Sequence, residues 1–231
     1  MLAFTPTADA ATLPPARIGA FFDVDNTLIS GPAIELRFYR YLWTLDLVGW
    51  PETLRSVGVL LRSGPALSWQ VLRERKPYLA GKDPATIEPV ADAFVRTQIC
   101  PHLSRRGLDR LEAHRCAGHT LVLVTASLDF LIAPLAAFLN IATVLAATPE
   151  RTDRGYTGRL LAPFPYGHGK RQVLERCAAR QGLILEHSYA YGDSPGDLEV
   201  LRLVGYPLVV NPIRGMSRIA RQHKWPVARW T

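Results

Sequence analysis

The stretch "FFDVDNTLIS", residues 21–30, decides the fold, because two carboxylates follow directly on an apolar run. Residues 18–22, IGAFF, have the composition of a buried parallel strand. Asp23 and Asp25 come where that strand ends, and two nearby negative charges resist ionising together. Such an arrangement needs a compensating cation, and the remainder of the sequence indicates which one.

Further apolar runs recur along the second half of the chain, and amphipathic helical patterns separate them. Three of these runs are TLVLVTAS at 120–127, SYAYGDS at 188–194 and YPLVVN at 206–211. Strands that alternate with helices of ten or more residues are typical of βαβ units and a parallel sheet. The sequence therefore predicts an α/β fold, with one hairpin near Asp153 and Gly155.

Three polar clusters follow three of the predicted strands directly: Asp23 with Asp25, Thr125 with Ser127, and Asp193 with Asp197. In open parallel sheets, ligands bind at the carboxyl ends of the strands, near the point where the strand order reverses. A single polar cluster in such a loop is common. Three clusters, together with the downstream Lys170, predict one shared crevice.

Four carboxylates would meet in that crevice, those of Asp23, Asp25, Asp193 and Asp197. They can coexist as anions only around a cation, and hard oxygen ligands in an octahedral arrangement select Mg²⁺. A metal ion held in this way also neutralises a phosphate group. We therefore expect a combined magnesium and phosphate site.

These residues resemble the motifs of the haloacid dehalogenase-like phosphatases. Asp23-Val-Asp25-Asn-Thr27 is similar to their DxDxT/V motif I, Thr125 to the Ser/Thr of motif II, Lys170 to the Lys of motif III, and GDSPGD at 192–197 to motif IV. The resemblance covers nearly the whole chain from about residue 18, and it is closest to the phosphoserine phosphatase-like (IB) group. It implies a Rossmann-like parallel sheet core with an inserted helical C1 cap domain.

The resemblance also implies catalytic roles for the first motif. Asp23 would be the nucleophile that forms an aspartyl-phosphate. Asp25 would protonate the leaving alcohol and then activate the hydrolytic water. Thr27 is the last residue of this motif, and the alternative interpretation is that it only caps a turn.

The later motifs would hold the phosphate and the metal. Thr125 and Lys170 would bind the phosphoryl oxygens. Ser127 would join them, or would instead cap the helix that follows it, which we favour. Mg²⁺ would bind Asp23, Asp193 and the backbone carbonyl of Asp25, with Asp197 orienting these ligands or binding through water.

The domain organisation follows from the same resemblance. We expect a disordered tail at residues 1–17, an α/β core formed by 18–31 and 106–231, and a helical cap inserted at 32–105. Pro residues at the starts of helical runs divide the insertion into several helices. A cap of this kind would exclude water and select the substrate.

Two positions depart from phosphoserine phosphatase itself. Pro32 stands where that enzyme has a Glu that meets the substrate amino group, and Gly196 stands where it usually has Asn. Glu35 is a nearby but unconvincing substitute. We therefore predict a phosphomonoester other than phosphoserine. The aromatic and Arg residues between 37 and 75 fit ordinary helix packing or, alternatively, an amphiphilic lipid phosphate.

Composition limits the remaining possibilities. The net charge of +7 favours anionic partners such as phosphate compounds, while the absence of a Lys/Arg block of five argues against a nucleic-acid partner. No apolar run approaches the roughly 18 residues of a membrane span, and the N-terminus does not resemble a signal peptide. Three widely spaced Cys residues favour a reducing, cytoplasmic setting. The oligomeric state is left open.

Two other functions are compatible with the fold. A phosphotransferase would pass the phosphoryl group to a second alcohol. A catalytically silent binding protein is disfavoured, because the residues matching all four motifs are present. A dehalogenase is disfavoured by Asp25, since that branch lacks the second carboxylate of motif I.

Overall fold

The computed structural model describes residues 17–63 and 74–230, and within them six parallel strands form one sheet. In spatial order the strands are β3 (Thr143–Ala147), β2 (Thr120–Leu128), β1 (Gly19–Phe22), β6 (Tyr189–Gly192), β7 (Tyr206–Val210) and β8 (Val227–Ala228). The predicted α/β class with a parallel core is confirmed.

Strand β1 lies at the point where the strand order reverses. It pairs with β2 on one side and with β6 on the other, and the chain then builds outward in both directions. Reversal points of this kind leave a crevice at the carboxyl ends of the strands. The three predicted polar clusters therefore lie at neighbouring strand ends.

Both faces of β1 are buried, which is why its sequence is uniformly apolar. Phe21 and Phe22 are fully buried, and they pack into two different hydrophobic clusters because successive side chains point to opposite faces. Phe22 stacks on Tyr191 of β6 at a ring-centroid distance of 4.5 Å. The strand that carries the first motif is thus anchored from both sides of the sheet.

Helices, joined by loops and isolated β-bridges, make up most of the described part of the segment between β1 and β2, as predicted. The helices of the described residues are α1 (Ile34–Thr44), α2 (Trp50–Ser63), α3 (Pro84–Phe94), α4 (Arg105–Cys116), α5 (Asp129–Phe138), α6 (His168–Gln181), α7 (Leu198–Leu203) and α8 (Met216–His223). Short 3₁₀ and π turns lie at Pro77–Leu79 and Val95–Ile99. The exact limits of core and cap stay a prediction.

The predicted hairpin is present and binds the inserted helical segment. Strands β4 (Pro149–Thr152) and β5 (Gly155–Leu160) pair antiparallel. The Gly81 amide donates to the Tyr156 carbonyl at 2.8 Å, and the Lys76 amide donates to the Gly158 carbonyl at 2.8 Å. The hairpin therefore connects the second half of the core to the insertion through main-chain hydrogen bonds.

Two features at the ends of the fold were not predicted from the sequence: a β-bridge at Arg17 and the short strand β8. Of the predicted tail at residues 1–17, residues 1–16 lie outside the described residues, whereas Arg17 forms a β-bridge with Leu183. Strand β8 is only two residues long, too short to leave a period-2 pattern in the sequence. Among the described residues, none of the helices combines the length and the apolar character that crossing a membrane requires.

A buried histidine makes the stability of this fold sensitive to acid. His114 is 5% exposed, and its ring nitrogens contact the Tyr191 hydroxyl at 2.6 Å and His119 Nδ1 at 2.7 Å. Burial, with the neighbouring His119 and Arg110, lowers the pKa of His114 from 6.5 to about 4. Between pH 6.5 and about pH 4, His114 is therefore protonated in the unfolded chain but neutral in the folded chain.

We expect this difference to cost up to about 3 kcal/mol of unfolding free energy as pH falls from 6.5 to 4. Urea unfolding of wild type and His114→Gln at pH 7 and pH 4.5 measures it. The variant should lose less stability on acidification, whereas His187→Gln, at an exposed position, should behave as wild type. An equal loss in wild type and His114→Gln would contradict the assignment.

Candidate active site

The loop after β1 is a tight turn that holds the first motif at the strand end. The Val24 carbonyl accepts hydrogen bonds from the amides of Thr27, Leu28 and Ile29 at 2.9–3.3 Å. Asn26 adopts a left-handed backbone conformation with φ 55°, which Asn tolerates better than most residues. Three amides on one carbonyl keep the turn compact, so that Asp23 and Asp25 stay beside the strand ends.

A cavity of about 460 Å³ opens at the carboxyl ends of β1, β2 and β6. Its walls include six of the seven predicted site residues: Asp23, Asp25, Thr125, Lys170, Asp193 and Asp197. Ser127 is buried and does not line this cavity, but its hydroxyl contacts Asp25, which does. The structure therefore brings together residues that are up to 174 positions apart in sequence, from Asp23 to Asp197.

Asp23 is a buried carboxylate with two side-chain contacts. Its Oδ1 accepts a hydrogen bond from Lys170 Nζ at 2.7 Å, and its Oδ2 accepts one from the Thr27 hydroxyl at 3.3 Å. Burial and the charge of Asp197 raise the pKa of Asp23 well above its usual value, while Lys170 opposes the rise. The Thr27 hydroxyl thus contacts the predicted nucleophile directly.

Lys170 lies between two carboxylates at the start of α6. Besides Asp23, it forms an ion pair with Asp197, and it is only 4% exposed. Burial opposes its charge, but Asp197 and Asp23 together outweigh burial and raise the pKa of Lys170. Lys170 is therefore a permanently charged cation inside the crevice, unlike the solvated lysine that commonly begins a helix.

Asp197 organises the loop after β6. Its Oδ2 accepts hydrogen bonds from the amides of Asp193 and Ser194 at 3.2 Å each and from the Ser194 hydroxyl at 3.1 Å. Gly192 makes this possible, because a Cβ there would lie 2.5 Å from Asp197 Cβ. The glycine of motif IV is thus needed for close packing against Asp197.

Three carboxylates form a group with the chemistry of a metal site. Oxygen atoms of Asp23, Asp193 and Asp197 all lie within 4.8 Å of one another, and all three residues are buried. Asn26 Nδ2 donates to Asp193 Oδ2 at 2.9 Å, and burial together with Asp197 raises the pKa of Asp193 to about 6. A buried set of oxygen donors with excess negative charge fits Mg²⁺.

The Asp25 carboxylate lies outside that group and has different partners. It accepts hydrogen bonds from the Ile34 amide and from the Ser127 hydroxyl, both at 2.7 Å. Burial raises the pKa of Asp25, and these two hydrogen bonds counteract part of the effect. A carboxyl group of this kind holds a proton more readily than an exposed one, which suits a general acid. The expected metal contact of its backbone carbonyl stays a prediction.

The favoured interpretation of Ser127 as a helix cap is wrong. Helix α5 begins at Asp129 after Leu128, and no side chain caps it. The Ser127 hydroxyl instead donates to Asp25, and the Ser127 amide donates to the Thr125 hydroxyl at 3.1 Å. The reason is that β2 extends through Leu128, which places Ser127 inside the strand. Its predicted phosphate contact stays untested.

Glu35 does not serve as the missing amino-binding carboxylate. It accepts hydrogen bonds from Lys76 Nζ at 2.6 Å and from the Tyr78 hydroxyl at 3.2 Å. Pro32 and Ala33 line the cavity on this side, and Glu35 does not. The substitution of Pro32 for a glutamate therefore leaves this wall without a free negative charge.

Gly196 marks a second difference from the phosphoserine phosphatase pattern. A Cβ at this position would lie 2.5 Å from Cε2 of Tyr166, so the aromatic ring occupies the space that a larger side chain would need. Both residues line the cavity. This part of the cavity wall is therefore shaped by an aromatic ring.

Sequence reasoning missed several residues of the site. Asn26 and Asn211 connect two loops: Asn26 Nδ2 donates to the Asn211 carbonyl at 2.9 Å, and Asn211 Nδ2 donates to the Asn26 carbonyl at 2.8 Å. The Asn after Asp25 and the Asn that ends "YPLVVN" could have indicated this pairing. Tyr166 and Arg214 also line the cavity, and neither belongs to a recognisable pattern.

Comparison with known proteins identifies the family and the fold of the chain. A family model described as haloacid dehalogenase-like hydrolase matches residues 20–202. A probable phosphatase of Mycobacterium tuberculosis is 34% identical over 96% of this chain and 78% of its own length. A crystal structure of a protein of unknown function from Bordetella pertussis superposes with a TM-score of 0.77 at 28% identity, covering 94% of this chain and all of that one.

A more distant structure shares the fold. The phospho-aspartyl intermediate analogue of phosphoserine phosphatase superposes with a TM-score of 0.65 at 17% identity, covering 94% of each chain. The family match extends over most of the chain and includes the residues of all four motifs. The chain therefore belongs to the haloacid dehalogenase-like hydrolases.

Proposed function

We propose that the protein is a Mg²⁺-dependent phosphatase that hydrolyses a phosphomonoester through an aspartyl-phosphate on Asp23. The observation that carries the proposal is the pair of buried carboxylates, Asp23 and Asp25, which line one cavity but have different partners. Asp23 is bound to the cation Lys170, whereas Asp25 is bound to the neutral donors Ile34 and Ser127. The Lys170 contact favours the ionised form of Asp23 and opposes the pKa rise that burial causes, whereas Asp25, whose hydrogen-bond donors are neutral, is suited to carry a proton.

In the first step, Asp23 attacks the phosphorus atom of the ester. A bond forms between a carboxylate oxygen of Asp23 and phosphorus, and the bond from phosphorus to the leaving oxygen breaks. Asp25 donates its proton to that oxygen, so the leaving group departs as a neutral alcohol. Lys170 and the Thr125 hydroxyl hold the phosphoryl oxygens in place, and Lys170 also offsets their negative charge.

In the second step, water attacks the same phosphorus atom. Asp25, now ionised, removes a proton from the water, and the bond between Asp23 and phosphorus breaks. Inorganic phosphate is released, and both carboxyl groups return to their starting states. The hydrogen bond from Ser127 holds Asp25 in one orientation through both proton transfers.

A Mg²⁺ ion bound by Asp23, Asp193 and Asp197 would neutralise charge on the carboxylates and on the phosphoryl group. We expect EDTA to abolish phosphate release and added Mg²⁺ to restore it. Asp193→Asn should raise the Mg²⁺ concentration for half-maximal activity by about 10–100-fold, since one charged ligand is lost. Full activity in EDTA, or an unchanged Mg²⁺ requirement in Asp193→Asn, would contradict this role.

The natural substrate is proposed to be a phosphomonoester other than phosphoserine. Glu35 is already bound to Lys76 and Tyr78 and does not line the cavity, and the carboxylates that do line it are the four of the predicted catalytic and metal site. A lipid phosphate is a narrower alternative, supported by the exposed apolar stripe of Trp50, Leu54, Val57 and Leu61 on α2. Sedimentation with anionic vesicles tests it, and absence of binding would count against it.

The deciding experiment is phosphate release from p-nitrophenyl phosphate with Mg²⁺. Hydrolysis supports the phosphatase, while transfer to added alcohols in preference to water would support the phosphotransferase. If no phosphate is released, binding of a fluoroberyllate phosphate mimic with Mg²⁺ distinguishes a selective enzyme from a silent protein. Failure to bind that mimic would refute the proposed function.

A further inference from the structure

The charges that line the active-site cavity divide into two groups. Four carboxylates and Lys170 belong to the metal and phosphate site, and each of them has a hydrogen-bond or ion-pair partner. Among the described residues that line the cavity, the one other charged side chain is that of Arg214. The remaining lining is uncharged and consists of the polar residues Asn26, Thr125 and Ser194, the ring of Tyr166, and small or apolar residues.

Arg214 is placed at the cavity by a loop that is hydrogen-bonded to neighbouring segments. The loop follows β7 and begins at Asn211, whose side chain is fixed by hydrogen bonds to the Asn26 carbonyl and the Trp230 amide. The Ile213 amide donates to the Asp193 carbonyl at 2.9 Å. The residue next to Arg214 is therefore hydrogen-bonded to the main chain of a predicted metal ligand.

The backbone of Arg214 is strained. Its φ is 49°, in the left-handed region that a residue with a Cβ adopts only at a cost of about 1 kcal/mol or more. Glycine would remove that cost, and Gly215 follows directly with φ 80°. A strained non-glycine residue at the edge of a cavity is a recognised mark of function when a second feature points the same way.

The second feature is the lack of a partner for the guanidinium group. Arg214 is exposed, and no hydrogen bond or ion pair joins its side chain to another described residue. By contrast, Lys76 and Glu35, which do not line the cavity, form an ion pair with each other. The free charge that a bound leaving group would meet on the described walls is therefore positive.

We propose that Arg214 binds an anionic group on the leaving-group half of the substrate, a carboxylate or a second phosphate. An arginine forms bidentate hydrogen bonds with both groups, and such charge-assisted bonds are stronger than neutral ones. The inference rests on the proposed phosphatase function and adds a substrate class to it: phosphomonoesters of acidic alcohols. Esters whose alcohol carries an ammonium group would be disfavoured by the same charge.

A series of two-carbon phosphomonoesters tests this inference, because its members differ mainly in the distal group. The series comprises phosphoethanolamine with a cation, 2-hydroxyethyl phosphate with a neutral hydroxyl, 2-phosphoglycolate with a carboxylate, and ethane-1,2-diol bisphosphate with a second phosphate. We expect kcat/KM in Mg²⁺ to be at least about tenfold higher for an anionic ester than for the neutral one. The two anionic members distinguish a carboxylate from a phosphate.

Arg214→Met removes the charge and retains both the Cβ and the aliphatic stem, so the backbone strain is unchanged. We expect it to lower the preference for the anionic over the neutral ester by about tenfold, mainly through a higher KM for the anionic ester. Arg214→Lys should retain part of the preference. Arg218→Met is the matched control on α8, since Arg218 is exposed and does not line the cavity.

The outcomes separate the two proposals. Hydrolysis of the series without preference for an anion, or an unchanged preference in Arg214→Met, overturns the inference while the phosphatase function stands. A preference that is lost equally in Arg218→Met also overturns it, because general surface charge would then be the cause. If neither the series nor p-nitrophenyl phosphate is hydrolysed, the proposed function fails and the inference fails with it.

Discussion

Asp23→Asn is expected to reduce phosphate release by at least about a thousandfold, because the amide cannot act as the nucleophile. The same variant should be as stable as wild type, or more stable, in EDTA at pH 7.5. Burial and Asp197 raise the pKa of Asp23, so the folded metal-free protein disfavours its negative charge. Replacing the charge with a neutral amide removes that cost and leaves Lys170 paired with Asp197.

Activity with Mg²⁺ and thermal unfolding with EDTA measure the two parts of this prediction. Asp109→Asn is the control: it removes a carboxylate that is 61% exposed and outside the cavity, so both quantities should match wild type. Substantial activity in Asp23→Asn would contradict the aspartyl-phosphate pathway. A large loss of stability would show instead that the Asp23 charge supports the metal-free fold.

The core of the fold could be predicted because its strands have strong local signals. The runs that became β1, β2, β6 and β7 are apolar on both faces and end at polar residues, which is typical of parallel strands between helix layers. β8 could not be found in this way. Its two residues are positioned by Asn211, whose amide donates to the Ala228 carbonyl at 2.9 Å. That contact is long-range and has no sequence pattern.

The predicted catalytic and metal-binding residues could be found from the sequence, whereas Tyr166 and Arg214, which line the rest of the cavity, could not. Asp23, Asp25, Lys170 and Asp193 lie at strand ends or helix starts, where motif spacing determines position. Tyr166, in contrast, reaches the cavity because Gly196 lacks a Cβ. Arg214 lines the cavity in a loop where its own backbone adopts the left-handed conformation. Both depend on contacts between separate loops, which local propensity does not encode.

Lys170→Met is expected to have the second large effect, on stability as well as on activity. Lys170 is almost fully buried and is the cation shared by Asp23 and Asp197. Its loss leaves buried carboxylates without a partner, which typically costs about 3–5 kcal/mol of unfolding free energy. Phosphate release should fall by about a hundredfold or more, because the transferring phosphoryl group loses a fixed positive charge.

The cause of the instability can be tested through pH and metal. If carboxylate repulsion is responsible, the stability deficit of Lys170→Met should shrink from pH 7.5 to pH 5, because protonation of Asp23 and Asp193, whose pKa values are raised, reduces the repulsion. Mg²⁺ should also reduce the deficit, since a bound cation replaces the missing charge. Lys82→Met, which breaks the more exposed pair with Glu52, should cost only about 0–1 kcal/mol. A deficit that neither acid nor Mg²⁺ reduces would instead indicate lost packing around the lysine stem.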